Sequence, residues 1–321
     1  MLQDRDTPSD SPRIIFCQNR LWVLLVTVLS LSCLLWAHPV FADWSSLIER
    51  LMTDGLEEEK VRTLFASREV KFEPDTMAGK IEELVKKQSA QPGAASSWKH
   101  KAVYRGFLNP RVIAEARVFL DENKAILKKI QTDYCVPREI VVAILLVETY
   151  LGKNLGGKFA FNRLASMALC TDLETIRPYL AQGLLRPENE EFARTRCREK
   201  ADWAYAELKA LMRYASASGV DPLSIRGSHY GAIGLCQFMP TNLFSYGVDA
   251  DQDGLVDPFT KPDAIHSIAN YLRGHGWQCQ MDRASQHKVI FAYNRSTMYV
   301  NTVLGVAEKL KNKPNVRKKA A

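Results

Sequence analysis

Apolar positions recur along this chain at helical spacing, and nowhere in the alternation that a half-buried strand requires. Trp44, Leu47, Ile48 and Leu51 mark a first helix, broken at Asp54-Gly55. Leu56 to Phe65 continues the pattern, and Ile81 to Lys87 reads as another short helix. Gln88 to Ser97, rich in Ala and Ser, reads as a loop or linker. Val112 to Ile130 predicts one long amphipathic helix, with Val112, Ala116, Phe119, Leu120, Leu127 and Ile130 along one side. Ala201 to Ala217 predicts another, closed by Gly219. No strand and no internal repeat is evident, so the expected class is mainly α.

One segment departs from the one-sided pattern. In Val136 to Gly152, eight consecutive apolar residues run from Ile140 through Val147, too many for a single stripe. Pro137 suits the first turn of that helix and Gly152 its end. The helix is therefore expected to be buried on most sides, and Glu148 stands at its end. A carboxylate there is costly if ionised and unpaired. Burial would raise its pKa into the range a general acid needs. The plainer alternative is that Glu148 emerges at the surface where the helix stops.

The N-terminus carries its own pattern. Leu21 to Ala37 is nearly free of polar groups, Arg13 and Arg20 precede it, and Val40-Phe41-Ala42 supplies small residues for cleavage before Asp43. A signal peptide over 1–42 is expected; the alternative is an uncleaved membrane anchor. Residues 1–42 carry three basic and three acidic groups, so the exported chain keeps the formal charge of +7 of all 321 residues. A basic exported protein suits an anionic polymer as partner. Part of that charge lies in a frayed tail, Lys309 to Lys319, which supports no reading of nucleic-acid binding. Five cysteines remain after residue 42: Cys135, Cys170, Cys197, Cys236 and Cys279. Export permits disulfides, and the odd number leaves at least one thiol unpaired within the chain. Cys170 and Cys197 bracket a polar stretch punctuated by Pro178, Gly183 and Pro187, and a bridge between them is expected. Cys236 is expected as a buried free thiol.

Three further stretches carry chemistry. Gly227 to Pro240 places Gly227, Gly231 and Gly234 close together, which permits a tight turn or a close backbone approach, to a ligand or to another helix. Ser228 and Gln237 in the same stretch are uncharged groups able to hold a hydroxyl or an amide. Asp249-Ala-Asp251-Gln-Asp253-Gly254-Leu255 reproduces the opening of a calcium loop, with carboxylates at alternate positions followed by glycine. Thr260 stands where the closing Glu belongs, and Asp263 is placed to close a longer loop, with Asp257 a weaker candidate. A solvated acidic turn is the alternative. Tyr293-Asn294 and Tyr299 flank the start of a last helix; aromatic faces of this kind stack on sugar rings or pack in a core.

Taken together, these stretches resemble the lytic murein transglycosylase family of the membrane-bound lytic transglycosylase B type. The matching elements are Val147-Glu148-Thr149, Gly227-Ser228, Gly231 to Gly234, Gln237 to Pro240, the Asp249 loop, Asp263-Ala-Ile, Ser267 to Trp277 and Tyr293-Asn294, in the family's order over roughly residues 100 to 310. The resemblance implies a lysozyme-like, mostly helical catalytic core, an additional α-helical lobe and an EF-hand-like loop. It implies Glu148 as the single catalytic acid, with Ser228, Gln237 and Asn294 around the cleaved sugar. It implies Tyr104, Tyr271, Tyr293 and Tyr299 as cleft-lining aromatics. It implies one structural calcium ion held by Asp249, Asp251, Asp253, the carbonyl of Leu255, and Asp263. The Cys170–Cys197 stretch has no counterpart in the family pattern.

The domain reading that follows is a signal peptide at 1–42, an N-terminal helical segment and linker at 43–100, a catalytic domain at 101–311 and a basic disordered tail at 312–321. The implied function is non-hydrolytic cleavage of the β-1,4 bond between N-acetylmuramic acid and N-acetylglucosamine in peptidoglycan, leaving 1,6-anhydromuramoyl ends. The expected setting is cell wall turnover in the periplasm, by a monomer acting on glycan strands. A hydrolytic muramidase would need a second carboxylate across the cleft, and the motif stretches hold none. A non-catalytic peptidoglycan-binding protein is the other alternative, against which an intact Glu148 with Gln237 and Asn294 argues.

Overall fold

Twelve α-helices and one very small sheet make up the described residues, 43–89 and 102–312, of this computed structural model. α1 (Ser45–Thr53), α2 (Glu58–Phe65) and α3 (Asp75–Ser89) come first. A 3-10 turn (Arg105–Leu108) leads into α4 (Pro110–Glu122), α5 (Lys124–Tyr134) and α6 (Arg138–Thr149). β1 (Lys158–Phe159) pairs antiparallel with β2 (Arg226–Gly227), and α7 (Ala160–Leu169) and α8 (Pro187–Ser218) lie between them in sequence. α9 (Pro240–Tyr246), α10 (Lys261–Gly274), α11 (Arg283–Tyr293) and α12 (Thr297–Lys311) complete the described chain. The leader at 1–42, residues 90–97 of the linker and the basic tail past residue 312 lie outside the described residues. Among the described residues no helix is long and apolar enough to cross a membrane.

The class is mainly α, as the helical spacing predicts. The two strands have two residues each, too short for any alternation to register in the sequence. α6 is the apolar helix, and Ile140 to Leu146 are buried without a gap. α12 covers one side of it, and α4, α5 and α10 also pack against it. Each fully buried aliphatic side chain contributes about 1.5–3 kcal/mol, so this run anchors the core.

The single helix expected over 112–130 is two. Asn123 is buried, its Nδ2 donates to the Phe119 carbonyl at 2.7 Å, and the backbone turns there before α5 begins. A short amide that bonds the backbone competes with helix continuation. At the other end of the chain's middle, α8 begins at Pro187 rather than near Ala201, and runs for 32 residues.

A buried arginine ties the N-terminal helices to α7. Arg163 is 2 % exposed. Its Nε lies 2.6 Å from a Glu73 carboxylate oxygen and its Nη1 2.8 Å from Asp75, with the Thr76 hydroxyl against the same Nη1. A buried guanidinium stays in place because its charge is matched on both edges.

The expected Cys170–Cys197 bridge is not formed; both thiols are free and buried. Cys170 Sγ donates to the Ser166 carbonyl at 3.0 Å, and Cys197 Sγ to the Cys170 carbonyl at 3.2 Å. Burial pushes their pKa values up to about 12 and about 11. The polar stretch that suggested a stapled insertion is held instead by charges. Arg177 and Arg194 both pair with Glu174 and Glu190, and Arg194 also reaches Asp172. Cys236 is a buried free thiol, as expected.

The bridge present is Cys135–Cys279, with Cα atoms 5.0 Å apart and a sequence separation of 144. It joins the α5–α6 junction to the loop after α10, where the Trp277 indole N–H donates to the Cys135 carbonyl at 3.1 Å. Closing so long a loop stabilises the fold by about 5 kcal/mol on the chain-entropy model, an upper figure that native strain and residual unfolded structure reduce. Peptide mapping of unreduced protein is therefore expected to recover the 135–279 crosslink and, among the described residues, three alkylatable thiols after denaturation. Reduction should lower unfolding stability in urea by about 2–4 kcal/mol. Recovery of a 170–197 crosslink would overturn this assignment.

Candidate active site

Glu148 occupies the last turn of α6, and the chain turns sharply after it. Tyr150, Leu151 and Gly152 all take left-handed backbone, with φ of 50°, 63° and 89°. The Tyr150 N–H donates to the Leu146 carbonyl and the Leu151 N–H to the Leu145 carbonyl, each at 3.0 Å, which satisfies the helix end. For residues with a Cβ this conformation costs about 1–2 kcal/mol each. Thr149, fully buried, ties the turn to the glycine-rich loop. Its hydroxyl lies 3.1 Å from the Leu235 carbonyl and 3.2 Å from that of Leu145, and it accepts from the Gly152 N–H.

The glycine-rich loop folds back on itself through backbone bridges from Gly227 to Ile233 and from Ile233 to Phe238. A Cβ on Gly227 would lie 2.3 Å from the Ala232 carbonyl oxygen, and one on Gly234 would lie 2.5 Å from that of Pro258. The glycines thus serve close approach of backbone to backbone. Ser228 Oγ accepts from the Ala232 and Tyr230 N–H groups at 3.0 and 3.3 Å. Gln237, at φ 49°, donates from Nε2 to the Gly234 carbonyl at 2.9 Å and reaches the Leu155 carbonyl at 3.4 Å.

An aromatic cluster backs the acid. Tyr293 stacks parallel to Tyr299, Tyr271 meets Tyr293 edge-on with centroids 4.9 Å apart, and Phe238 packs against Tyr271 and Tyr293. The Tyr293 hydroxyl donates to the Cys236 carbonyl at 2.5 Å and that of Tyr271 to the Ala292 carbonyl at 2.9 Å. Tyr271 and Tyr299 are buried, so they form a wall beneath the acid rather than open stacking faces. Tyr104 is 40 % exposed, and Asn294, at the end of α11, is also exposed.

The electrostatics single out Glu148. Its side chain is half-buried, set deep but still touching solvent, and loss of hydration pushes its pKa up to about 7. The Tyr299 hydroxyl is the one group acting the other way. That hydroxyl is buried and forms no well-aligned hydrogen bond with any other group. Burial, and then the Glu148 charge, holds the Tyr299 phenol well above its usual range. No other carboxylate of the described residues bears on Glu148.

Comparison with known proteins gives the family and the fold. Residues 41–286 match the family model described as a transglycosylase SLT domain. The chain belongs to the transglycosylase SLT domain family. It is 30% identical over 193 residues to the membrane-bound lytic murein transglycosylase B of Escherichia coli, a match covering 60% of this chain and 45% of that relative's length. The Escherichia coli lytic transglycosylase Slt35, solved in complex with calcium, superposes with a TM-score of 0.60 at 20% identity, over 83% of this chain and 91% of that one. SltB3 of Pseudomonas aeruginosa, solved with NAG-anhNAM-pentapeptide, gives 0.60 at 21% identity, over 84% and 79%. The fold is that of these lytic transglycosylases.

In this transglycosylase SLT domain the acidic loop lies between α9 and α10. Carboxylate oxygens of Asp249, Asp251 and Asp263 come within 4.8 Å of one another. Asp263 is buried and accepts from the Ala250 and Asp257 N–H groups at 2.8 and 2.7 Å. Burial raises its pKa, and the charges of Asp251 and Asp249 add to the rise. Such a set of hard oxygen donors fits a calcium-type cation. Asp253 stands outside this group and accepts from the Leu255 N–H at 2.9 Å, while the Leu255 side chain points to solvent.

Sequence reasoning missed Thr149, the backbone anchor next to the acid, and Phe238, the floor of the tyrosine cluster. Thr149 follows Glu148 directly, and a hydroxyl residue at a helix end is a recognisable hydrogen-bonding signal.

The raised pKa has a measurable consequence for stability. Below about pH 4.5 the carboxyl is protonated folded and unfolded alike. Between about pH 4.5 and about 7 only the unfolded chain ionises readily, so folded stability falls across that window and levels off above it. A rise from 4.5 to about 7 is at most about 3 kcal/mol, and residual solvent contact reduces it to about 2. Glu148→Gln is expected to be more stable than the parent by about 2 kcal/mol at pH 8 and equal to it at pH 4, read from urea unfolding. A parent that is more stable at pH 8 would refute the buried, proton-holding state.

Proposed function

We propose that this protein is a peptidoglycan lytic transglycosylase that cleaves the MurNAc–GlcNAc β-1,4 bond without water, using Glu148 alone as acid and then base. The observation that carries the reading is the isolation of Glu148: buried at the end of an apolar helix, half protonated near neutrality, and under the influence of no second carboxylate. A hydrolase of the two-carboxylate kind needs a partner to hold water or to attack. The family membership and the NAG-anhNAM-pentapeptide complex of SltB3 support the same reading.

The protonated Glu148 donates to the glycosidic oxygen, and the muramoyl acetamide oxygen stabilises the cation developing at C1. The carboxylate left behind takes the proton of the C6 hydroxyl on the same sugar. That hydroxyl closes on C1 and gives the 1,6-anhydro end. Each proton transfer needs an approach of about 3 Å. Ser228, Gln237 and Asn294 supply polar contacts to the sugar, and Tyr271, Tyr293 and Tyr299 shape the floor. The strand is taken up outside the cytoplasm, in keeping with an exported chain and with the catalytic region at 101–311 preceded by a helical segment at 43–100.

Glu148→Gln keeps size and shape but transfers no proton. Turnover of purified sacculi is expected to fall by at least about 10²–10⁴-fold. Muropeptides released by the parent should lack one water relative to hydrolysed ones in mass analysis. Parent-level release by the Gln variant, or hydrated ends from the parent, would defeat the proposal.

We further propose one structural calcium ion on Asp249, Asp251 and Asp263, with Asp253 and the Leu255 carbonyl completing its shell. A ligand that binds the folded state alone stabilises it by mass action, about 2.7 kcal/mol at a hundredfold excess over Kd. Melting temperature should rise by several degrees with calcium and fall with a chelator. Asp263→Asn should abolish the response; an equal response in that variant would exclude the site.

A further inference from the structure

The helix that carries Glu148 ends in a way its own backbone does not favour. Tyr150 sits at φ 50°, where glycine would close the helix without strain. Burial gives no return for this, since the tyrosine is 42 % exposed. Its hydroxyl makes no hydrogen bond among the described residues. Its one ring contact is with Phe107, with centroids 5.0 Å apart, and Phe107 in turn meets Tyr104 at 6.4 Å.

These rings are fixed to the same frame as the acid. The Tyr104 N–H donates to the Thr302 hydroxyl at 2.9 Å. Thr302 lies one turn beyond Tyr299 on α12, and Tyr299 is the residue whose hydroxyl faces Glu148. The ledge thus starts two residues from the acid and runs along the 105–108 turn toward α12. Exposed aromatic faces backed by another ring offer what a pyranose presents: a C–H face to cover, with hydroxyls left in water. A strained backbone that holds an exposed ring beside an active site has a functional explanation where it has no packing one.

We propose that Tyr150, backed by Phe107 and Tyr104, is a sugar-stacking platform that grips the glycan strand beside the bond being cleaved. The inference rests on the glycan-cleaving reading of Glu148 and adds a binding position outside the reacting disaccharide. Continuity with the acid's own helix end favours the strand over a protein partner as occupant.

Binding is measured in the Glu148→Gln protein, which holds strands without cutting them, using long peptide-free glycan strands and a single GlcNAc–MurNAc disaccharide. Adding Tyr150→Gly is expected to weaken strand binding about tenfold, the order a lost ring contact gives, with disaccharide affinity kept within about twofold. Its melting temperature should equal or exceed that of Glu148→Gln, because the left-handed strain is relieved. Tyr150→Phe should keep strand affinity. Unchanged strand binding in Tyr150→Gly, an equal loss for the disaccharide, or a lowered melting temperature would each overturn the platform. If the Glu148→Gln protein bound no glycan of either length, the cleaving reading itself would fall, before any Tyr150 variant is made.

Discussion

A carboxyl group placed at the end of a helix with no polar face constrains everything around it. α6 can be buried on all sides only if α4, α5, α10 and α12 close over it, and their closure strips water from Glu148. Dehydration holds the proton, and the Tyr299 hydroxyl limits how far the pKa rises. The balance leaves the group able to exist in both protonation states near neutrality. The same closure brings Thr149 under the Leu235 carbonyl, so the helix end and the glycine-rich loop move as one piece.

Other buried charges in the molecule show what an ordinary structural solution looks like. Glu207 accepts from both the N–H and the hydroxyl of Thr241 and so caps the start of α9. Arg163 has carboxylates on two edges. Asp263 takes two backbone N–H groups. Each of these is compensated by groups whose only evident task is compensation. Glu148 has a single phenol. Unlike these three it is only half-buried and keeps contact with solvent.

Much of this was legible in the residue pattern. The unbroken run from Ile140 to Val147 announced a helix with no free face and led to the expectation of a proton-holding Glu148, beside the alternative that the carboxylate emerges at the surface; loss of hydration decides between them. The glycines of the 227–234 stretch announced close backbone approach, although the partner proved to be other backbone rather than a ligand. What failed to show were features that depend on tertiary context. Tyr150 and Leu151 adopt a conformation that neither residue advertises, and the turn was expected to be made by Gly152 alone. Asn123 divides a helix whose apolar stripe continues straight through the break. Cys170 and Cys197 frame a polar stretch, yet Cys170 closes α7 and Cys197 lies within α8, both thiols are buried and unbridged, and arginine pairs hold the surface that a disulfide was expected to hold.

The packing of α12 on α6 joins segments separated by some hundred and fifty residues, the last helix of the described chain against the one bearing the acid. Contacts of such long sequence range form late, because a long loop must close before they return any stabilisation. Until α12 docks, α6 has a bare apolar side, Tyr299 is absent, and Glu148 is an ordinary hydrated carboxylate. The proton-holding state therefore belongs to the finished molecule, and a chain whose last helix has yet to dock would carry the carboxyl without its raised pKa.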